Sequence, residues 1–107
     1  MTAEKNVFQK ILDKEINSTI HYEDERCIVI SDIHPKAPIH LLVIPRKPLK
    51  SFDDVEPEDK DLLFHLMTVG RKQIKKMGAE GYKLQYNVGS KGGQEIFHLH
   101  LHVLGWN

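Results

Sequence analysis

Cysteine is nearly missing from this chain: of 107 residues, Cys27 alone carries a thiol. One thiol cannot close an intrachain disulfide, so the fold takes no support from cross-links, which fits a reducing compartment. Cys27 lies in the apolar run Cys27-Ile28-Val29-Ile30 and reads as a buried, inert thiol. Excess charge of either sign is missing as well. Lys and Arg number 15, Asp and Glu number 15, and the formal net charge is zero. A neutral chain has no general pull toward nucleic acid or an anionic membrane, although a small anion held by local donors stays possible. Long apolar runs are also missing. No stretch approaches a membrane span, and the opening MTAEKNVFQK lacks the apolar core of a signal peptide. These absences predict a soluble cytoplasmic protein with neither nucleic acid nor membrane as partner. There is no repeat, low-complexity tract or linker, so residues 1–107 are expected to form a single domain.

Periodicity supplies the elements. Val7, Phe8, Ile11 and Leu12 recur at helical spacing and predict a short helix over about 4–14. Ile20–Glu23 and Cys27–Ser31 read as strands around the turn Asp24-Glu25-Arg26. Asp32–Pro38 is a loop punctuated by Pro35 and Pro38, and His40–Pro45 is a third strand. A long helix is expected over Pro57–Met77, with acids at its start, lysines at its end and Gly78 as its stop. Leu62, Leu63, Leu66, Met67, Val69 and Ile74 give it an apolar stripe wider than one side of a small sheet needs. Tyr82–Val88 is a fourth strand, and the loop Gly89-Ser90-Lys91-Gly92-Gly93 leads toward a fifth. The order α-β-β-β-α-β-β with short links predicts an α+β domain: an antiparallel five-stranded sheet with its helices on one side.

The fifth strand carries the chemistry. In His98-Leu99-His100-Leu101-His102-Val103-Leu104, three histidines alternate with apolar residues. At a strand's period of two, His98, His100 and His102 share one face, while Phe97, Leu99, Leu101 and Val103 face the core. A row of imidazoles offers nucleophile, acid, hydrogen-bond donor or metal ligand near neutral pH.

The segment Asn87-Val88-Gly89-Ser90-Lys91-Gly92-Gly93-Gln94-Glu95-Ile96-Phe97-His98-Leu99-His100-Leu101-His102 resembles the signature of the histidine-triad (HIT) superfamily, in particular its Hint branch of nucleoside phosphoramidate hydrolases. The likeness extends to Phe8-Gln9-Lys10-Ile11, to Asp32-Ile33-His34-Pro35-Lys36-Ala37-Pro38-Ile39-His40 and to Val43-Ile44-Pro45. It implies a five-stranded antiparallel sheet that continues across a homodimer, and hydrolysis of AMP or GMP phosphoramidates with no metal and no cofactor. His100 takes the place of the nucleophile, forming a nucleotidyl-histidine that water then hydrolyses. His102 matches the residue on the phosphate, and His98 and His40 match supporting histidines. Asp32 matches the carboxylate that accepts from both ribose hydroxyls, and Ile33, Phe8 and Ile11 wall the base pocket. Asn87 and Gln94 are neutral donors to phosphate oxygens. Gly92 and Gly93 bring exposed backbone N–H groups to the anion.

Several positions depart from the family pattern. Glu95 stands where some members carry Ser or Thr near the leaving group, so it holds a proton for the amine or repels a polyphosphate. His34 replaces a frequent serine. The chain ends at Gly105-Trp106-Asn107, where many relatives continue. His21, His65 and Lys91 are read as solvated surface residues. Alternative readings are a dinucleoside polyphosphate hydrolase, a nucleotide-binding regulatory dimer and, more remotely, a zinc-binding module built on the histidine row. Zinc is disfavoured because alternate strand residues lie in a line about 7 Å apart, whereas a tetrahedral ion needs convergent ligands.

Overall fold

The computed structural model describes residues 5–107. Its first helix, α1 (Val7–Leu12), is set by its own cap: the Asn6 carboxamide oxygen accepts the Gln9 N–H at 2.8 Å, and the Gln9 side chain accepts the Asn6 N–H at 2.9 Å. This reciprocal box starts the helix later than the expected 4, a residue outside those described. Strands β1 (Ile20–Glu23) and β2 (Cys27–Ser31) form the expected hairpin, and β3 (Ile39–Pro45) follows the proline loop. The long helix α2 covers Lys60–Lys76, entered through one 3-10 turn at Pro57–Asp59 and followed by Gly78 at φ +96°. Strand β4 (Gly81–Gln85) is shorter than expected, and β5 is Leu101–Trp106.

The five strands pair antiparallel in the order β1-β2-β3-β5-β4. Alternation divides the central strands between two cores. Val29, Leu41, Val43, Leu101 and Val103 pack with Leu63, Leu66, Val69 and Ile74 of α2. Ile28, Ile30, Leu42 and Ile44 pack with Phe8 and Ile11 of α1. The helices therefore cover opposite faces of the sheet, not one side. The single-side expectation fails because β2 and β3 are apolar at consecutive positions, which a strand covered on both faces requires.

The stripe on α2 is mostly consumed within the chain. Leu66 is fully buried, and Leu62 and Met67 are partly buried against the same core. The large apolar side chain that α2 leaves out is Phe64, 69% exposed. Cys27 is buried, and burial pushes its thiol up to about 12, as an inert role requires. Among the described residues no helix is long and apolar enough to cross a membrane.

Candidate active site

On the α1 face a cavity of about 570 Å³ opens between α1, the Asp32–Pro38 loop and the start of β5. Its wall includes Phe8, Ile11, Asp32, Ile33, His40, Asn87, Gly93, Glu95, His100 and His102. Ten of the thirteen residues singled out from sequence thus meet in one place. Of the three that do not line it, His98 and Gln94 are buried and Gly92 lies in the Ser90–Gly92 turn.

The histidine strand begins later than its period suggests. Ladder pairing starts at Leu101, so His98 and His100 lie in an irregular lead-in, bent over residues 96–98, that precedes the sheet. Phe97 is accordingly half exposed instead of buried in the core, while Leu99 is buried and its N–H donates to the Leu49 carbonyl at 2.7 Å. The imidazoles still gather on the α1 side. The Phe8 ring stands edge-on to His98 and His100, with centroids 6.2 Å and 4.8 Å away, and His100 and His102 are 4.9 Å apart.

Partners define each tautomer. His100 Nδ1 lies 2.7 Å from the His98 carbonyl oxygen. A carbonyl only accepts, so Nδ1 carries the proton and Nε2 keeps its lone pair. His98 Nε2 donates to the Pro45 carbonyl at 2.8 Å, tying the lead-in to β3. His40 Nδ1 accepts the Lys36 N–H at 3.1 Å, so in the neutral ring Nε2 is the donor, facing His102 Nδ1 at 2.9 Å and Asp32 Oδ2 at 3.4 Å. His102 therefore accepts at Nδ1 and carries its proton on Nε2. The Asn87 amide nitrogen lies 3.5 Å from that Nε2, with the Asn87 oxygen held by the Gln85 side chain at 2.9 Å. Two N–H donors stand side by side there, an arrangement suited to an oxyanion.

Burial lowers the pKa of all four rings. His98 and His100 lose to desolvation more than their carbonyl partners restore. Burial also depresses His40, against the opposing pull of Asp32. His102 is pushed down to about 4, first by burial and then by repulsion from His100 and His40. A neutral His100 is the form with a free lone pair to attack.

Three assignments change. Gln94 is only 5% exposed, and its side chain is committed: Oε1 accepts the Gly89 N–H at 3.0 Å, and Nε2 donates to the carbonyls of Lys50 at 2.8 Å and Ile96 at 3.0 Å. It braces the loop instead of donating to a ligand. The N–H groups of Gly92 and Gly93 are not open to an anion, because each donates at 3.1 Å within the Ser90–Gly92 turn, to Gly89 and Ser90 respectively. Gly93 instead supplies a left-handed backbone, φ +91°, closing beside the Asn87 amide. His21 and His65 are half buried, not solvated: His21 bonds the Ser31 hydroxyl at 2.6 Å, and His65 accepts from Arg26 and donates to Asp24 at 2.6 Å. Asp32 combines a turn role with its place in the wall, since its Oδ1 accepts the His34 N–H at 2.8 Å.

Among the described residues His98, His100 and His102 do not form a convergent set of donor atoms. Two other sets of donor atoms lie within 4.8 Å of one another: Asp32, His40 and His102 in this site, and Asp24, Cys27 and His65 below the β1–β2 turn. Lys36, His34 and Ile96 are among the wall residues that sequence reasoning missed. The first two sit inside the motif quoted for Asp32 and His40, so their proximity was there to read.

Comparison with known proteins agrees with this fold. The family model described as "Scavenger mRNA decapping enzyme C-term binding" matches residues 5–107. An uncharacterized HIT-like protein of Synechocystis sp. is 42% identical over 104 residues, 96% of this chain and 91% of that protein. The crystal structure of a HIT family hydrolase from Legionella pneumophila superposes with a TM-score of 0.92 at 40% identity, covering 96% of this chain and 94% of the other. A HIT family hydrolase from Clostridium thermocellum gives 0.93 at 40% identity, covering 99% and 94%. With the imidazole cluster, the two-faced sheet and these relatives in agreement, this chain belongs to the histidine-triad (HIT) superfamily.

Proposed function

We propose that this HIT protein is a hydrolase of purine nucleoside phosphoramidates, AMP or GMP joined to an amine, with His100 as nucleophile. The observation that carries the reading is the 2.7 Å bond from His100 Nδ1 to the His98 carbonyl, which leaves Nε2 unprotonated on a residue of the cavity wall. Nε2 attacks phosphorus, the P–N bond breaks, and the amine leaves with its electron pair and takes up a proton. Water then attacks phosphorus, the P–Nε2 bond breaks back onto the ring, and the monophosphate leaves with one proton released. The His102 Nε2–H and the Asn87 amide donate to the phosphoryl oxygens as charge builds. Asp32 holds the ribose hydroxyls, and Phe8, Ile11 and Ile33 hold the base.

The test is AMP release from adenosine 5′-phosphoramidate. His100→Ala is expected to abolish turnover while keeping nucleotide binding, and rapid quench with intact-mass analysis is expected to trap one nucleotidyl group on His100. An adduct on His98 or His102 overturns the assignment. Faster cleavage of a dinucleoside polyphosphate than of any phosphoramidate replaces the substrate class.

The active form is proposed to be a homodimer. Phe64 is open on α2, and the edge strand β4 exposes Tyr82 and Leu84 along unpaired backbone that a second copy would cover. Light scattering is expected to give twice the mass of one chain, with Phe64→Glu shifting it toward monomer. Leu66→Glu would not report on assembly, since Leu66 belongs to the chain's own core.

A further inference from the structure

A second group of chemistry-bearing side chains lies on the sheet face opposite the cavity. Asp24, Cys27 and His65 meet where the β1–β2 turn reaches α2, and their ligand atoms all lie within 4.8 Å of one another. The proposed reaction uses none of them. Cys27 is wholly buried in the core that α2 covers, while the His65 and Asp24 side chains are 20% and 22% exposed. The set is therefore closed on the sulfur side and open to solvent on the other.

The turn assembles the set. Asp24 and Cys27 stand three apart, the spacing of the two ligands in a C-x2-C metal loop. The Asp24 N–H donates to the Cys27 carbonyl at 2.9 Å, and Asp24 Oδ1 accepts the N–H groups of Arg26 at 2.7 Å and Cys27 at 2.8 Å. With Oδ1 spent on the turn, Oδ2 accepts from His65 Nε2 on α2 at 2.6 Å and from the Tyr22 hydroxyl at 2.8 Å. His65 Nδ1 accepts from the exposed Arg26 side chain at 3.2 Å.

We propose that Asp24, Cys27 and His65 form a structural site for one thiophilic divalent cation of the zinc class, which clamps α2 to the β1–β2 hairpin. The donors suit such an ion. A thiolate and a carboxylate bring two negative charges that neutralise a dication in a half-buried place, and the imidazole adds a neutral nitrogen. Sulfur selects zinc-class ions over Mg2+ and Ca2+, which take oxygen ligands. Neighbouring donors of a tetrahedral ion stand roughly 3–4 Å apart. The Asp24–His65 pair has only to open and the Cys27 sulfur to close, each by no more than about 1 Å. Water from the open side fills the fourth position. The thiol, which burial keeps protonated, releases its proton to solvent as sulfur takes the ion. The His65 ring moves its proton from Nε2 to Nδ1, and Arg26 turns into water.

Co2+ is the probe, titrated anaerobically into the full chain with no thiol reductant. Cys27 is the chain's single thiol, so a sulfur-to-cobalt charge-transfer band reports on it alone. The band is expected to saturate at one ion per chain, with the visible bands of a tetrahedral ion, and to be displaced by Zn2+ but not by Mg2+. Free Zn2+ at about a hundredfold excess over its dissociation constant is expected to raise the melting temperature by at least roughly 5 °C. Cys27→Ala is expected to abolish the band. His65→Gln, a change at a half-buried site, is expected to weaken Co2+ binding by roughly tenfold or more. It decides the matter even if Cys27→Ala fails to fold. No band in the wild type, or an unchanged affinity in His65→Gln, overturns the proposal. Cobalt bound without a charge-transfer band overturns it too and assigns the ion to Asp32, His40 and His102. Turnover enters none of these readouts, so they stand apart from the phosphoramidase reading.

Discussion

Gln94→Leu separates a bracing residue from a ligand donor. The leucine keeps approximately the bulk of Gln94 and removes every hydrogen bond its amide makes. Three backbone groups lose a partner: the Gly89 N–H at 3.0 Å and the carbonyls of Lys50 at 2.8 Å and Ile96 at 3.0 Å. A neutral bond contributes about 0.5–1.5 kcal/mol net, and a buried group left unpaired costs about 1–3 kcal/mol. The loop borders solvent, so water can recover part of the loss, and about 2–3 kcal/mol is expected in total. For a domain of this size that corresponds to a melting temperature lower by roughly 10–20 °C. Turnover is expected to fall too, because Gly93 and Glu95 flank the lost anchor. Thermal unfolding by calorimetry, beside AMP titration of the same sample, gives both readouts. Gln94→Glu is a sharper control. It keeps an acceptor for Gly89 but turns an oxygen toward two carbonyls, so it is expected to destabilise at least as much. A melting temperature within about 2 °C of wild type, with catalysis alone lost, would refute the reasoning and return Gln94 to the phosphate.

Stability is expected to depend on pH through His40, His98, His100 and His102, all depressed below 6.5 in the folded chain chiefly by burial, His102 to about 4. The unfolded chain binds protons first, so stability is complete above about pH 6.5 and falls as pH drops toward 4, by up to about 1.4 kcal/mol per pH unit for each histidine involved; melts from pH 7.5 to 4.5 that do not move refute this. Activity is expected to survive dialysis against a strong chelator, since the proposed attack needs only a neutral imidazole and N–H donors. Loss on chelation with recovery on adding zinc would instead point to Asp32, His40 and His102, the convergent donors of the site. Gly105→Ala is expected to cost about 1–3 kcal/mol in urea unfolding, because the added Cβ would meet Ile74 at 2.8 Å and Ala79 at 2.9 Å in a packed core; an unchanged midpoint would mean α2 shifts freely over β5.

How far the chain could be read before folding follows from the range of each signal. Strand pairs joined by short turns, such as Ile20–Glu23 with Cys27–Ser31, are local and come out within a residue. The long helix is misread only in its first turn, where Pro57 starts a 3-10 turn before Lys60. What escaped was long-range. Which face α1 covers depends on packing against Ile28, Ile30, Leu42 and Ile44, none of them near it in sequence. Whether Gln94 faces a ligand or the protein depends on the Lys50 carbonyl, 44 residues away. The half-buried states of His21 and His65 depend likewise on Ser31, Asp24 and Arg26.

The most instructive departure lies in the histidine row itself. Alternation places His98, His100 and His102 on a common side, and they do gather there, but a fully paired strand would have spoiled the site. In a ladder, backbone carbonyls are taken by the neighbouring strand. Pairing begins only at Leu101, so the His98 carbonyl stays free to accept from His100 Nδ1. The lead-in must then be held by other means, and side chains do it: His98 Nε2 on the Pro45 carbonyl, Leu99 N–H on the Leu49 carbonyl, and the Gln94 amide upstream. His98 is thus a positioning residue twice over, through its ring and through its own carbonyl. His98→Ala removes the ring bond and leaves the carbonyl, so it is expected to loosen the lead-in, whereas His100→Ala removes the attacking atom. A His98→Ala enzyme with wild-type kcat and wild-type melting temperature would show that the ring contributes to neither.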